Sequence, residues 1–229
     1  MIDIVGDVHG CIDELHELLI KLNVLNASDL SYNQNYNREL VFVGDLVDRG
    51  PSSFEVLKLV RSLMKYGVKF VRGNHDDKLL RYYLGKKIVI TDEIQRTIDQ
   101  LKDFDSDLIS LLSAPLFLVY DKLVICHAGM PLRNIHKHPY DRKVLSQCLY
   151  GEVNGMKDSE GRNIRLTNWT KDYSKYCCVY GHTVVENVLK LENTYCIDTG
   201  CVFGGTLTCL RYPELEIVSI KAKKTYYEK

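Results

Sequence analysis

Residues 40–50, Leu40-Val41-Phe42-Val43-Gly44-Asp45-Leu46-Val47-Asp48-Arg49-Gly50, read as a strand that stops at a glycine and opens into a charged turn. The four apolar residues predict a short buried strand, and the glycine ends it. The same grammar appears on either side. Upstream, Ile2–Val5 runs into Gly6-Asp7-Val8-His9-Gly10; downstream, residues 68–71 run into Arg72-Gly73-Asn74-His75-Asp76. Two more His-bearing turns come later, Cys126-His127-Ala128-Gly129 after residues 123–125, and Gly181-His182-Thr183 after Cys177–Tyr180. The strand ends thus present Asp, His, Asp, Asn, His and His. These are hard oxygen and borderline nitrogen donors, a set that suits a pair of divalent metals.

Between the first three strands the periodicity turns helical. Ile12, Leu15, Leu18, Leu19 and Leu22 share one face, and Leu57, Val60, Leu63 and Met64 are expected to point inward from a helix that begins near Ser52. The pattern β-α-β-α-β predicts a parallel sheet with helices on its faces. Such sheets place their sites at the C-terminal ends of the strands. Residues 75–84, 93–102 and 107–112 read as helices. The grammar then changes: residues 116–119 and 123–126 flank a tight hairpin at Tyr120-Asp121-Lys122, and residues 151–165 read as a long polar loop. Four later strands, at 177–180, 195–198, 206–211 and 216–220, are assigned to a second, mixed or antiparallel sheet. The expected fold is α/β, two sheets face to face with helices outside, in one domain over residues 1–229 with a frayed Lys-rich tail at 221–229.

Bulk composition narrows the function. Apolar residues make up 45% of the 229-residue chain, enough for a sizeable core. The 30 basic and 30 acidic side chains balance, so a grip on long nucleic acid, which needs a basic excess or stripe, is not expected. The eight cysteines include no C-x-x-C pair, and several sit inside strand patterns as small apolar residues. No signal-peptide pattern or run of transmembrane length occurs, so no membrane partner is expected and the reading is a reducing cytoplasm. No G-x-x-x-x-G-K-[ST] is present, which excludes an ATP-driven kinase module of that type.

The blocks GD-x-H-G, GD-x-x-DRG and RGNH, in this order, resemble those of the calcineurin-like metallophosphoesterases, in the branch shared with phosphoprotein phosphatases. The resemblance runs from Ile2 to about Lys221. Its later part, Tyr180-Gly181-His182-Thr183, Ile197-Asp198-Thr199-Gly200-Cys201-Val202-Phe203-Gly204-Gly205 and Leu210-Arg211-Tyr212-Pro213, looks most like two bacterial relatives. These are the asymmetric-type bis(5′-nucleosyl)-tetraphosphatases and the phosphatase domain of polynucleotide kinase–phosphatases. The resemblance implies a sandwich of two mixed sheets and two divalent metals, Mn²⁺ with Fe, Zn, Ni or Co as alternatives. It implies that Asp7 and His9 hold the first metal, that Asp45 bridges, and that Asn74, His127 and His182 hold the second. It also implies His75 as proton donor to the leaving group, with Asp48 as its partner.

Physical chemistry fits these roles. Two metals lower the pKa of water and neutralise developing charge. A neutral Asn among the ligands limits negative charge, so a phosphate is still accepted. A carboxylate beside His75 stabilises imidazolium and fixes the donating tautomer. Arg49 is the expected phosphate clamp, because its fork matches two phosphate oxygens. Arg72 either joins it or braces the loops. A further phosphate arginine is Arg165 or Arg162, with Arg165 the better match. Asp198 either orients a ligand histidine from behind or caps the next turn. Each Asp or Asn has a plain alternative as a turn residue, and each lone His as a hydrogen-bonded structural residue. The leading substrate is a dinucleoside polyphosphate; a nucleic-acid end or a phosphoprotein is the alternative. Specificity is expected from the loops at residues 26–38, 81–93, 131–140 and 151–169, where Tyr82, Tyr83, Tyr150 or Trp169 offers a face to a base.

Overall fold

A computed structural model describes residues 1–104, 107–138, 141–157, 159, 161 and 163–228. The first half follows the predicted alternation: β1 (Ile2–Val5), α1 (Ile12–Lys21), β2 (Glu39–Phe42), α2 (Ser53–Met64), β3 (Lys69–Phe70) and α3 (Asn74–Tyr83). Two helices, α4 (Asp92–Gln100) and α5 (Leu108–Leu112), lead to the hairpin β4 (Phe117–Tyr120) and β5 (Leu123–Cys126). Then come α6 (Arg142–Tyr150), β6 (Val153–Lys157), β7 (Asn163–Arg165), β8 (Cys177–Tyr180), β9 (Leu189–Leu191), β10 (Thr194–Cys196), β11 (Thr206–Tyr212) and β12 (Glu216–Lys221).

Two five-stranded mixed sheets result, in the orders β12-β11-β1-β2-β3 and β4-β5-β8-β10-β9. Strands β1, β2 and β3 are parallel, as are β5, β8 and β10. Side chains alternate across each strand. Ile2, Ile4, Val41 and Val43 therefore face Leu123, Ile125 and Val179 between the sheets, while Val5, Leu40 and Phe42 face outward onto α1 and α2. A third cluster packs Val124, Cys126 and Cys178 against Val144 and Cys148 of α6 and against Trp169 and Tyr173. With both faces covered, the strands need continuous rather than alternating apolar sequence, which is how they read. Each fully buried Leu, Ile or Val there contributes about 1.5–3 kcal/mol.

Four expectations need correction. Strands β11 and β12 belong to the first sheet, not the second: β11 pairs antiparallel with β1, from Ile2 opposite Tyr212 to Val5 opposite Cys209. Linear order says nothing about which earlier strand a late one joins. Residues 151–165 contain the hairpin β6–β7 rather than only loop; all five residues of β6 are exposed, so no apolar alternation marks it. Met64, at the last position of α2, is 42% exposed, and Leu63 takes the inward position. The tail does not fray over its described part. Ala222 is buried, the backbone N–H groups of Tyr226 and Tyr227 donate to the Val202 carbonyl, and Glu14 accepts from Lys223 N–H and the Tyr226 hydroxyl, both at 2.9 Å. The lysines that dominate the tail's composition hide these anchors. All eight cysteines are free and buried. Among the described residues no helix is long and apolar enough to cross a membrane.

Candidate active site

The five predicted turns meet at one edge of the sandwich, at the C-terminal ends of parallel strands from both sheets. Tight backbone geometry brings them together. His9, Asp45, Asp48, Arg49 and His182 all have left-handed backbone, with φ between 46° and 69°. Such positions cost about 1–3 kcal/mol each for residues other than glycine. Hydrogen bonds hold them: the N–H groups of Val8 and His9 donate to the Asp45 carbonyl at 3.2 and 2.9 Å, and Gly10 N–H to Leu46 at 2.9 Å. Glycine is required at Gly73 and Gly181 because a Cβ there would strike the carboxylates of Asp45 and Asp7.

Histidine orientation is set from behind. His9 Nδ1 lies 2.8 Å from the Val47 carbonyl and His127 Nδ1 3.0 Å from that of Val43. Each Nδ1 must carry the proton, which leaves each Nε2 lone pair aimed inward. His127 Nε2 lies 3.0 Å from Asn74 Oδ1, 3.0 Å from His182 Nδ1 and 3.4 Å from Asp45 Oδ2; His9 Nε2 is 3.5 Å from the same Asp45 oxygen. Acceptors that converge this closely without a shared proton repel unless a cation lies among them. Two groups of donor atoms, each within 4.8 Å, share Asp45: His9, Asp45 and His75, and Asp45, His127 and His182. Asp7 stands just behind, accepting the His182 N–H at 3.1 and 3.2 Å.

The electrostatics point the same way. Burial, with the Asp198 and Asp45 charges added, raises the Asp7 pKa well above the ordinary range. Burial opposes ionised Asp45 as well, but His127 and His75, when protonated in the metal-free site, outweigh it and hold that carboxyl well below its usual pKa. Burial drives His9 and His182 well below the ordinary imidazole value, so both are neutral, the ligating form. His182 Nε2 is buried without a hydrogen-bond partner among the described residues. Clustered buried carboxylates, neutral imidazoles and an amide oxygen fit divalent first-row metals.

His75 and Asp48 meet as expected, Nδ1 to Oδ2 at 2.7 Å, with Asp48 only 1% exposed. Burial disfavours imidazolium at His75, yet the Asp45 charge and the Asp48 bond prevail and raise its pKa. Arg49 reaches His9 Nε2 with Nη1 at 2.8 Å and lies over the Phe203 ring, 5.4 Å from its centroid. Arg72 is buried with its Nε 3.3 Å from Asp77 Oδ1, an ion-pair contact without hydrogen-bond geometry. Arg165, on β7, donates to the Tyr150 carbonyl, and its charge helps lower the His182 pKa. Arg162 lies outside the described residues. Asp198 accepts the Gly200 N–H at 3.1 Å, and burial pushes its pKa up to about 6.

Two supporting residues escaped the sequence reading. Asp76 accepts from the N–H groups of Asp45 (2.8 Å), Gly73 (2.9 Å) and Leu46 (3.0 Å), and so ties the second turn to the third. The signal was present: an acid at the third position of a helix that begins beside a strand. Thr97 of α4 donates to Asp48 Oδ1 at 2.6 Å, and no local pattern announces it.

Comparisons with known proteins agree with this geometry. Residues 1–208 match the family described as calcineurin-like phosphoesterase. The chain is 40% identical to the protein named bis(5′-nucleosyl)-tetraphosphatase PrpE [asymmetrical] of Anoxybacillus flavithermus, over 98% of this chain and 95% of that one. It is 38% identical to the protein of the same name from Bacillus subtilis, over 99% and 96%. A crystal structure of a protein named as a candidate diadenosine tetraphosphatase superposes with a TM-score of 0.70 and 26% identity, covering 96% and 93%. A cold-active protein-tyrosine phosphatase from a Shewanella psychrophile shares the fold, with a TM-score of 0.64 and 19% identity over 97% and 80%. Motif order, converging donors and family match together make this chain a member of the calcineurin-like phosphoesterase family, a metal-dependent phosphohydrolase.

Proposed function

We propose that the chain hydrolyses dinucleoside tetraphosphates asymmetrically, diadenosine tetraphosphate to ATP and AMP. Similarity to the asymmetrical tetraphosphatases across nearly the whole of both chains carries this reading. Asp7, His9 and Asp45 would hold one divalent ion, and Asp45, Asn74, His127 and His182 the other, with Mn²⁺ our choice. When bound, such ions lower the pKa of water and neutralise charge on the attacked phosphate. The eight free cysteines favour a reducing compartment, for which we propose the cytoplasm.

The chain's own residues do the rest. Arg49, already at the ligand cluster, orients the attacked phosphate through paired N–H groups. Arg165 adds positive charge on the His182 side. Arg72 braces α3 through Asp77. Water adds to the α-phosphorus and the bond to the bridging oxygen breaks. ATP leaves with the electron pair, AMP keeps the water oxygen, and both protons of the water are given up, to solvent or to the two new terminal phosphates. A triphosphate is a stable leaving group, so the proton on His75 Nε2, with the ring fixed at Nδ1 by Asp48, matters most when the leaving group is an alkoxide.

Anion-exchange analysis of products tests the reading. Equal ATP and AMP are expected. ADP alone would mean symmetric cleavage. Release of phosphate from an RNA end or a phosphopeptide, without turnover of the dinucleotide, would reassign the substrate.

A further inference from the structure

The register of α3 extends the site beyond its metal ligands. Asn74 begins the helix at the cluster; Lys78 and Arg81 lie four and seven residues on, so all three share one face. At 1.5 Å per residue, Arg81 stands roughly 10 Å along the axis from Asn74, the span of a triphosphate. A cleft of about 480 Å³ opens along this face, lined by Lys78, Arg81, Lys87, Ile88, Val89 and Tyr150. It carries three cations and no carboxylate. Asp77, beside them on α3, lies 3.3 Å from Arg72 Nε, and its charge also reaches Arg81 and Tyr150.

The cleft joins the reacting centre through Tyr150, whose ring centroid is 6.5 Å from that of His182. Val89, on the same rim, is 77% exposed. A comparable cleft of about 490 Å³ lies on the His9 side, along Arg49, Arg96 and Lys224, but Asp99 also lines it. Mixed charge suits that cleft less well to a run of phosphates. We infer that the α3 cleft binds the leaving half of the substrate, with Lys78, Arg81 and Lys87 along the phosphates, Ile88 and Val89 against the base, and Tyr150 where the phosphate chain leaves the reacting centre. The inference rests on the dinucleotide reading and adds a location for the triphosphate that departs.

The test pairs Arg81→Ala/Lys87→Ala with Arg96→Ala/Lys224→Ala. For each, kcat/KM is measured on diadenosine tetraphosphate and on p-nitrophenyl phosphate, which has no distal phosphates. In the α3 pair the dinucleotide-to-nitrophenyl ratio should fall roughly 10–100-fold, the scale of one or two lost charged contacts. Inhibition of p-nitrophenyl phosphate hydrolysis by ATP, at fixed free metal, should weaken at least about tenfold in the same variant, with AMP inhibition little changed. An unchanged ratio and unchanged ATP inhibition would overturn the inference. So would a fall confined to the Arg96/Lys224 pair. If the wild-type protein leaves the dinucleotide intact, the proposed function fails, while the ATP arm still decides the cleft.

Discussion

The two sheets bring their ligands to the site by different means. In the first, Asp7, His9, Asp45 and Asn74 sit on short turns laced to one another by backbone hydrogen bonds and by the three N–H groups that Asp76 collects. In the second, His127 and His182 follow adjacent parallel strands, β5 and β8, with α6 and the β6–β7 hairpin inserted between them. The laced half has few conformational alternatives, and chemistry requires that. The inserted half carries Tyr150 and Arg165 at the rim of the site, where a change of sequence alters contacts with substrate without disturbing the ligands. Rate should therefore respond to the laced ligand turns, and substrate preference to what surrounds them, the α3 cleft and the segment inserted in the second sheet.

The largest effect is expected from Asp45→Asn, which removes the charge shared by both donor groups. Metal content by plasma mass spectrometry should drop below two ions per chain and turnover should fall to background. Two retained ions with wild-type turnover would break the assignment of Asp45 as the shared ligand. Next, His75→Ala should lower kcat by roughly 10²–10⁴ on alkoxide leaving groups and much less on p-nitrophenyl phosphate. An equal loss on both would assign His75 to metal loading instead. Asp76→Asn should weaken metal affinity roughly 10–100-fold, the usual range for a residue that supports ligands from behind. Metal titration monitored by calorimetry measures it, and an unchanged affinity would show that the lacing is dispensable. The smallest effect belongs to the second half. Arg165→Ala should change the ratio of kcat/KM between dinucleotide and p-nitrophenyl phosphate by about tenfold, one lost charged contact, with metal content unaltered.

The contrast also explains what could be read from sequence. Strand, glycine and polar turn are contiguous, so the turns holding Asp7, Asp45 and Asn74 declare themselves over a few residues. His75 and Asp48 were paired by family resemblance, and they meet at 2.7 Å. Thr97 was invisible because its partner, Asp48, lies far upstream and a threonine on a helix carries no signal of its own. The β6–β7 hairpin was missed because its residues face solvent, so periodicity had no core to report. Strand β11 was recognised as a strand but given the wrong neighbours, since pairing with β1 is a property of the closed fold. In the tail, lysines dominate the composition, while Ala222, Tyr226 and Tyr227 decide its position.

The pairing of β1 with β11 sets the order of events while the chain is being made. Val5 finds its antiparallel partner at Cys209, 209 − 5 = 204 residues later. At about 5–20 residues per second, β1 waits roughly 10–40 s for that neighbour. During that interval the edge of β1 that β11 will cover is open to other chains. Ribosome-bound chains halted before β11 emerges should stay protease-sensitive across β1–β3, and full-length chains released from the ribosome should not. Early protection would mean that the three parallel strands close by themselves. The strand that begins the site is thus among the first parts synthesised and among the last to be sealed, and a holdase in the cell would find its target there.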